Sequence, residues 1–208
     1  MKKLTLLPAL LGVLLSVQSQ AANTERVRVT TTLGEFVIEM QRDRAPLTVE
    51  NFLGYVRADG YRNTLFHRVI ANFVIQGGGY DEHLAARPAR APIPNESGNG
   101  LSNTRGTLGL AREDSPHSGT SQFYINLVDT PKLDPLPSRW GYAVFGRVIE
   151  GMEVVDKIGY LRTETVAAFG PDVPVERPVL RRAYVLEDSV MTPATPPQPT
   201  AEKADPTQ

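Results

Sequence analysis

Few side chains in this sequence could carry chemistry. It contains no cysteine, which excludes thiolate nucleophiles, disulfides and thiolate metal sites. The three histidines, His67, His83 and His117, lack the close spacing of metal ligands. Gly77-Gly78-Gly79 is not followed by the Gly-Lys-Ser/Thr of a phosphate loop, and Gly98-Asn99-Gly100 has Asn103 where a dinucleotide fingerprint needs its third glycine. In Gly119-Thr120-Ser121-Gln122-Phe123, Phe123 replaces the second glycine of a nucleophile elbow. What remains is Arg68, a permanent cation flanked by Phe66, Val69 and Phe73, with Gln76 and Gln122 as neutral hydrogen-bonding groups. A planar guanidinium can stabilise charge that develops on a bound group without any covalent step. Taken alone, the same arginine could equally be half of a surface ion pair.

The elements that must position these residues are mostly strands. Val27-Arg28-Val29 and Phe36 to Met40 predict a hairpin around Leu33-Gly34. Thr48, after Pro46, is a plausible helix N-cap, and Val49, Phe52, Leu53 and Val56 form an amphipathic stripe ending near Gly60. Leu65–Val69, Phe73–Gln76, Gly106–Leu110, Phe123–Asn126 and Tyr142–Arg147 are short apolar runs separated by turn residues, and Gly151–Ile158 predicts a second short helix. Val179–Leu186 predicts a closing strand. Many short strands with two helices indicate a mainly β sandwich or barrel. The connection from Tyr80 to Gly100, with Pro88, Pro92 and Pro94, has the length of a functional loop.

The chain of 208 residues, 41% hydrophobic and 22% charged, suits one ordinary globular domain. Its ends read differently. Lys2 and Lys3 precede an apolar run from Leu4 to Val17, then Ser19-Gln20-Ala21 or Gln20-Ala21-Ala22 at a cleavage position. That is the pattern of a removable signal peptide over residues 1–22. About 14 apolar residues fall short of the roughly 20 a spanning helix needs. Residues 189–208 are rich in Thr, Pro and Ala and predict a disordered tail, leaving 23–188 as the domain. Loss of the two leader lysines takes the net charge from −1 to −3, which gives no electrostatic case for nucleic acid or an anionic membrane surface. The Lys2-Lys3 start and the brief apolar run point to a bacterial periplasm, with no stable membrane association.

The run Phe66-His67-Arg68-Val69-Ile70-Ala71-Asn72-Phe73-Val74-Ile75-Gln76-Gly77-Gly78-Gly79 resembles the central motif of the cyclophilins. Asn103–Arg112 resembles the strand and loop of their substrate channel, and Ser121–Asn126 their second central motif. Leu133-Asp134, Tyr142–Val148 and Ala45–Phe52 also match, in chain order, so the likeness spans nearly all of residues 27–187. Periplasmic bacterial cyclophilins look like the nearest subgroup. The resemblance implies a closed eight-stranded antiparallel β-barrel capped by two α-helices, with the site on an outer face. It implies peptidyl-prolyl cis/trans isomerase activity without a cofactor.

An X-Pro bond isomerises slowly because amide resonance sets a barrier of ~18–20 kcal/mol. A catalyst need only favour the twisted state. By resemblance, Arg68 is the catalytic arginine, Gln76 and Gln122 orient it and the substrate, and Phe73 is the floor of the proline pocket. Val74, Tyr124, Leu133 and Tyr142 match the other pocket positions, although by residue type alone each is ordinary core. Ala111 and Arg112 match the stretch whose backbone pairs with the residue before proline; Arg112 stands where the family usually has asparagine. His67 is read as structural. Val74 replaces a common methionine, Tyr142 a histidine, and Lys132 aligns with the tryptophan that contacts cyclosporin, which implies weak cyclosporin A binding. The expected partners are proline-containing peptides and unfolded exported proteins, met by a monomer. The competing readings are a proline-peptide-binding chaperone module with incidental turnover and a secreted structural β-domain.

Overall fold

The computed structural model describes residues 25–187; the expected signal peptide and tail lie outside the described residues. Strands β1 (Arg26–Thr31) and β2 (Gly34–Met40) form the predicted hairpin, with Thr31 opposite Gly34, so the two-residue loop is Thr32-Leu33 and not Leu33-Gly34. Alternation sets its faces. Val27, Val29, Phe36, Ile38 and Met40 are buried, while Arg26–Glu39 and Arg28–Glu35 pair across the outside at 3.8 Å.

Helix α1 (Pro46–Arg57) buries the predicted Val49, Phe52, Leu53 and Val56. Its ends are built differently from the expectation. Ala45, not Thr48, is the N-cap residue, because Pro46 occupies the first turn and Thr48 already lies inside the helix. The capping acceptor comes from far along the chain: Glu96 accepts from Leu47 N (3.1 Å), Thr48 N (2.8 Å) and Thr48 Oγ1 (2.7 Å). At the other end Asp59 (φ 54°) takes the left-handed position instead of Gly60. Gly60 N donates to Tyr55 O and Asp59 N to Val56 O, the pair of bonds that closes a Schellman turn.

Strands β3 (Thr64–Leu65), β4 (Arg68–Ile70), β5 (Val74–Gly77), β6 (Thr107–Leu110), β7 (Phe123–Asn126), β8 (Val144–Glu150) and β11 (Val179–Leu186) join β1 and β2 in one antiparallel sheet, ordered β3-β11-β1-β2-β8-β6-β7-β5-β4. Its two terminal strands, β3 and β4, are halves of one segment interrupted only by Phe66 and His67. Leu65 pairs with Val179 of β11, and Arg68 with Gln76 of β5. Counted as a single kinked strand, Thr64–Ile70 turns nine strands into a ring of eight, as the resemblance implied. Phe36, Phe66, Ile75, Leu108, Phe123, Ile125 and Phe145 fill the core. Phe52 of α1 reaches Phe123 and Phe145 at ring distances of 5.5 and 5.3 Å. Helix α2 (Met152–Gly159) adds Val154, Val155 and Ile158. No helix of the described residues is long and apolar enough to cross a membrane.

The sequence reading omitted a hairpin of β9 (Thr163–Val166) and β10 (Gly170–Pro174), which stands apart from the ring and packs on β4. The Tyr80–Gly100 connection, expected to be a functional loop, is tied to α1 at two points and elsewhere to the segments around Gly119, Gly141 and Val144. Besides the Glu96 cap, Arg90 donates to Gly54 O (2.7 Å) and stacks on Tyr55.

Candidate active site

The pleat decides which residues leave the core. In β4 Val69 points in while Arg68 points out; in β5 Ile75 points in and Gln76 out; in β7 Phe123 and Ile125 point in. Register places Arg68 beside Gln76, and Gln76 beside Tyr124. The polar side chains then connect. Arg68 Nη1 donates to Gln76 Oε1 (3.5 Å), and Gln76 Nε2 donates to Gln122 Oε1 (2.9 Å). Gly79 leaves room for Gln122, since a Cβ there would sit 2.6 Å from Gln122 Cγ.

Arg68, Gln76, Gln122, Ala111 and Arg112 share an open cleft of about 320 Å³, with His67, Tyr80 and Phe169 along one wall. Ala111 N donates to Gln122 O (3.0 Å), tying the cleft's two sides together. Arg112 is folded against Tyr142, its guanidinium 4.5 Å from the ring centre, and donates to Glu113 O (2.8 Å) and Trp140 O (3.2 Å). Its charge is therefore a fixed part of the rim.

The apolar residues lie beside this cleft and do not line it. Tyr142 is 5.9 Å from Tyr124 ring to ring, and Tyr142 N donates to Leu133 O (2.9 Å). Lys132, next to Leu133, holds its ammonium 4.3 Å from the centre of the Phe73 ring. Tyr124 is buried, its hydroxyl donating to Asn103 Oδ1 (2.7 Å); burial pushes its phenol well above the ordinary value. Gly109 lies directly over its ring, where a Cβ would collide. Val74, 3% exposed, is covered. Phe73, Leu133 and Tyr142 are the apolar site candidates that stay half open.

Sequence reasoning missed Asp172, whose Oδ2 accepts from Arg68 Nε at 3.3 Å. It also missed the aromatic wall, where Phe169 stacks edge-on to Tyr80 at 4.8 Å and His67 to Tyr80 at 4.6 Å. His67 is structural in its surroundings: 5% exposed, with Nδ1 buried and unpartnered. Burial, reinforced by the Arg68 charge, lowers its pKa to about 4, so it is neutral at pH 7. Among the described residues no cluster of three His, Asp or Glu could hold a metal ion.

The cleft thus brings together a cation, a polar relay and, beside it, three half-open apolar side chains. Residues 26–184 match the family model for cyclophilin type peptidyl-prolyl cis-trans isomerases, so this chain belongs to that family. It is 49% identical over 155 residues to a peptidyl-prolyl cis-trans isomerase of Acinetobacter baylyi, covering 74% of this chain and 82% of that one. It is 46% identical over 160 residues to peptidyl-prolyl cis-trans isomerase B of Escherichia coli, covering 76% and 97%. A solved cyclophilin-type isomerase from Cryptosporidium parvum shares the fold, with a TM-score of 0.65 at 24% identity over 79% of this chain and 99% of that one. A second structure of it was determined in the presence of the dipeptide Ala-Pro. The activity is peptidyl-prolyl cis/trans isomerisation.

Proposed function

We propose that this chain isomerises X-Pro bonds in exported proteins during folding, with Arg68 as the catalytic cation. The observation that supports this most is the relay Arg68–Gln76–Gln122 along one cleft, with Phe73, Leu133 and Tyr142 half open beside it. In the twisted state the prolyl nitrogen loses resonance and becomes a hydrogen-bond acceptor. The Arg68 guanidinium, beside Gln76, donates to it and to the neighbouring carbonyl. The proline ring packs against Phe73 between Leu133 and Tyr142, and Ala111–Arg112 carries the preceding residue. No bond is made or broken and no cofactor takes part. The protein acts as a monomer in the periplasm; the leader pattern favours that compartment.

The test is a proline-peptide isomerisation assay on the purified chain and on Arg68→Ala. Loss of a preorganised donor should lower kcat/KM by about 10²–10³-fold. Equal acceleration by both proteins removes Arg68 from the mechanism. N-terminal sequencing of protein recovered from a periplasmic fraction checks compartment and cleavage together; an intact Met1 there refutes the cleaved leader.

A further inference from the structure

We infer that Asp172 is a positioning residue for Arg68, and that the β9–β10 hairpin exists in this molecule to deliver it; the inference rests on the role proposed for Arg68. A guanidinium has donors on three nitrogens in a rigid plane. Here Nε is engaged by Asp172 and Nη1 by Gln76, which leaves Nη2 for a substrate. Contacts on two different nitrogens fix both the position of the fork and its rotation. The Gln76 contact alone, at 3.5 Å, leaves the fork free to swing.

Asp172 is placed with some care. The β9–β10 ladder pairs Gly170 with Val166 and Val173 with Glu164, so the register shifts across Pro171-Asp172. A bulge of this kind re-aims a side chain out of the pleat. The hairpin is anchored on both sides of the bulge. Val173 is 1% exposed, and Phe169 stacks on Tyr80 at 4.8 Å and His67 at 6.2 Å. His67, neutral at pH 7, adds no competing cation beside the pair. The carboxylate also weakens the field that Arg68 presents to a substrate, so its contribution to catalysis must come from orientation.

The alternative is a part-exposed ion pair that merely fastens the hairpin, and a double-mutant cycle separates the two. Asp172→Asn, Arg68→Ala and the double variant are assayed for kcat, KM and thermal midpoint. Asp172→Asn should lower kcat about tenfold with KM within about twofold and the midpoint unchanged. Asp172→Glu should recover most of the loss, because it restores the anionic acceptor, for which the neutral amide oxygen of asparagine is a much weaker partner to a guanidinium. In the Arg68→Ala background, Asp172→Asn should change nothing further. Full activity of Asp172→Asn, or an equal loss in both backgrounds, overturns the inference while leaving the role of Arg68 standing. If Arg68→Ala is itself fully active, the reading of the site fails first.

Discussion

The buried neutral His67 makes a quantitative prediction about acid stability. Folding lowers its pKa from 6.5 to about 4, through burial first and the Arg68 charge second. The unfolded chain therefore binds a proton that the folded chain refuses between those values. The stability His67 contributes is complete above pH 6.5 and is lost as pH falls toward 4. Linkage over that window, evaluated from pH 7.5 to 4.5, gives a loss of about 2.5 kcal/mol, a large part of a typical domain's stability. Glu25, Asp81 and Asp134 have lowered values as well, and their losses come at lower pH. The measurement is urea denaturation of wild type and His67→Phe across that range, taking the difference at each pH. Phenylalanine keeps a ring against Tyr80 and Phe169 but cannot titrate. The gap between the two curves should move by about 2–3 kcal/mol in favour of the variant on acidification. Parallel curves would show that the imidazole is not held neutral by its surroundings, and the account of the cleft's charge would fail with it.

Glu96 should be worth about 1–2 kcal/mol to the fold, since its carboxylate accepts from Leu47 N, Thr48 N and Thr48 Oγ1; Glu96→Ala measured by urea denaturation tests this, and a cost below about 0.3 kcal/mol refutes it. Cyclosporin A should bind weakly, because Lys132 places an ammonium over Phe73 where an aromatic contact is wanted. Lys132→Trp should tighten binding by about tenfold or more in calorimetric titration, and unchanged affinity would remove that rim position from the explanation.

Local features of this fold were legible in the sequence. The stripe of α1 and the alternation of β1 and β2 depend on periods of 3.6 or two residues within one segment, whereas the polar residues of the Phe66–Gly79 run were singled out by residue type and by resemblance. Closure of the barrel was not legible that way; it came from resemblance, because it depends on Leu65 meeting Val179 and Arg68 meeting Gln76. Where the local rules misled, a distant group had taken over. Thr48 has the right type for an N-cap, but Glu96, 48 positions on, supplies the acceptor. Asp172 gave no signal: its partner is 104 residues away, and β9 has no alternating apolar pattern, since the hairpin lies on β4 outside the ring. Residue type did not show that Val74 and Tyr124 are buried, or that the Tyr124 hydroxyl is taken by Asn103, because both follow from the packing of distant strands.

The kink at Phe66-His67 also decides what the protein offers to other chains. Because Thr64–Ile70 pairs with β11 along its first half and with β5 along its second, the eight-membered ring ends nowhere. An open sheet presents unpaired N–H and C=O groups that template the addition of another strand. The detached β9–β10 hairpin keeps two short edges; along that of β10, Pro171 and Pro174 lack the N–H that an incoming strand would need. An isomerase spends its working life beside extended polypeptide. A barrel whose own ladder is closed offers such a segment no strand edge to add to.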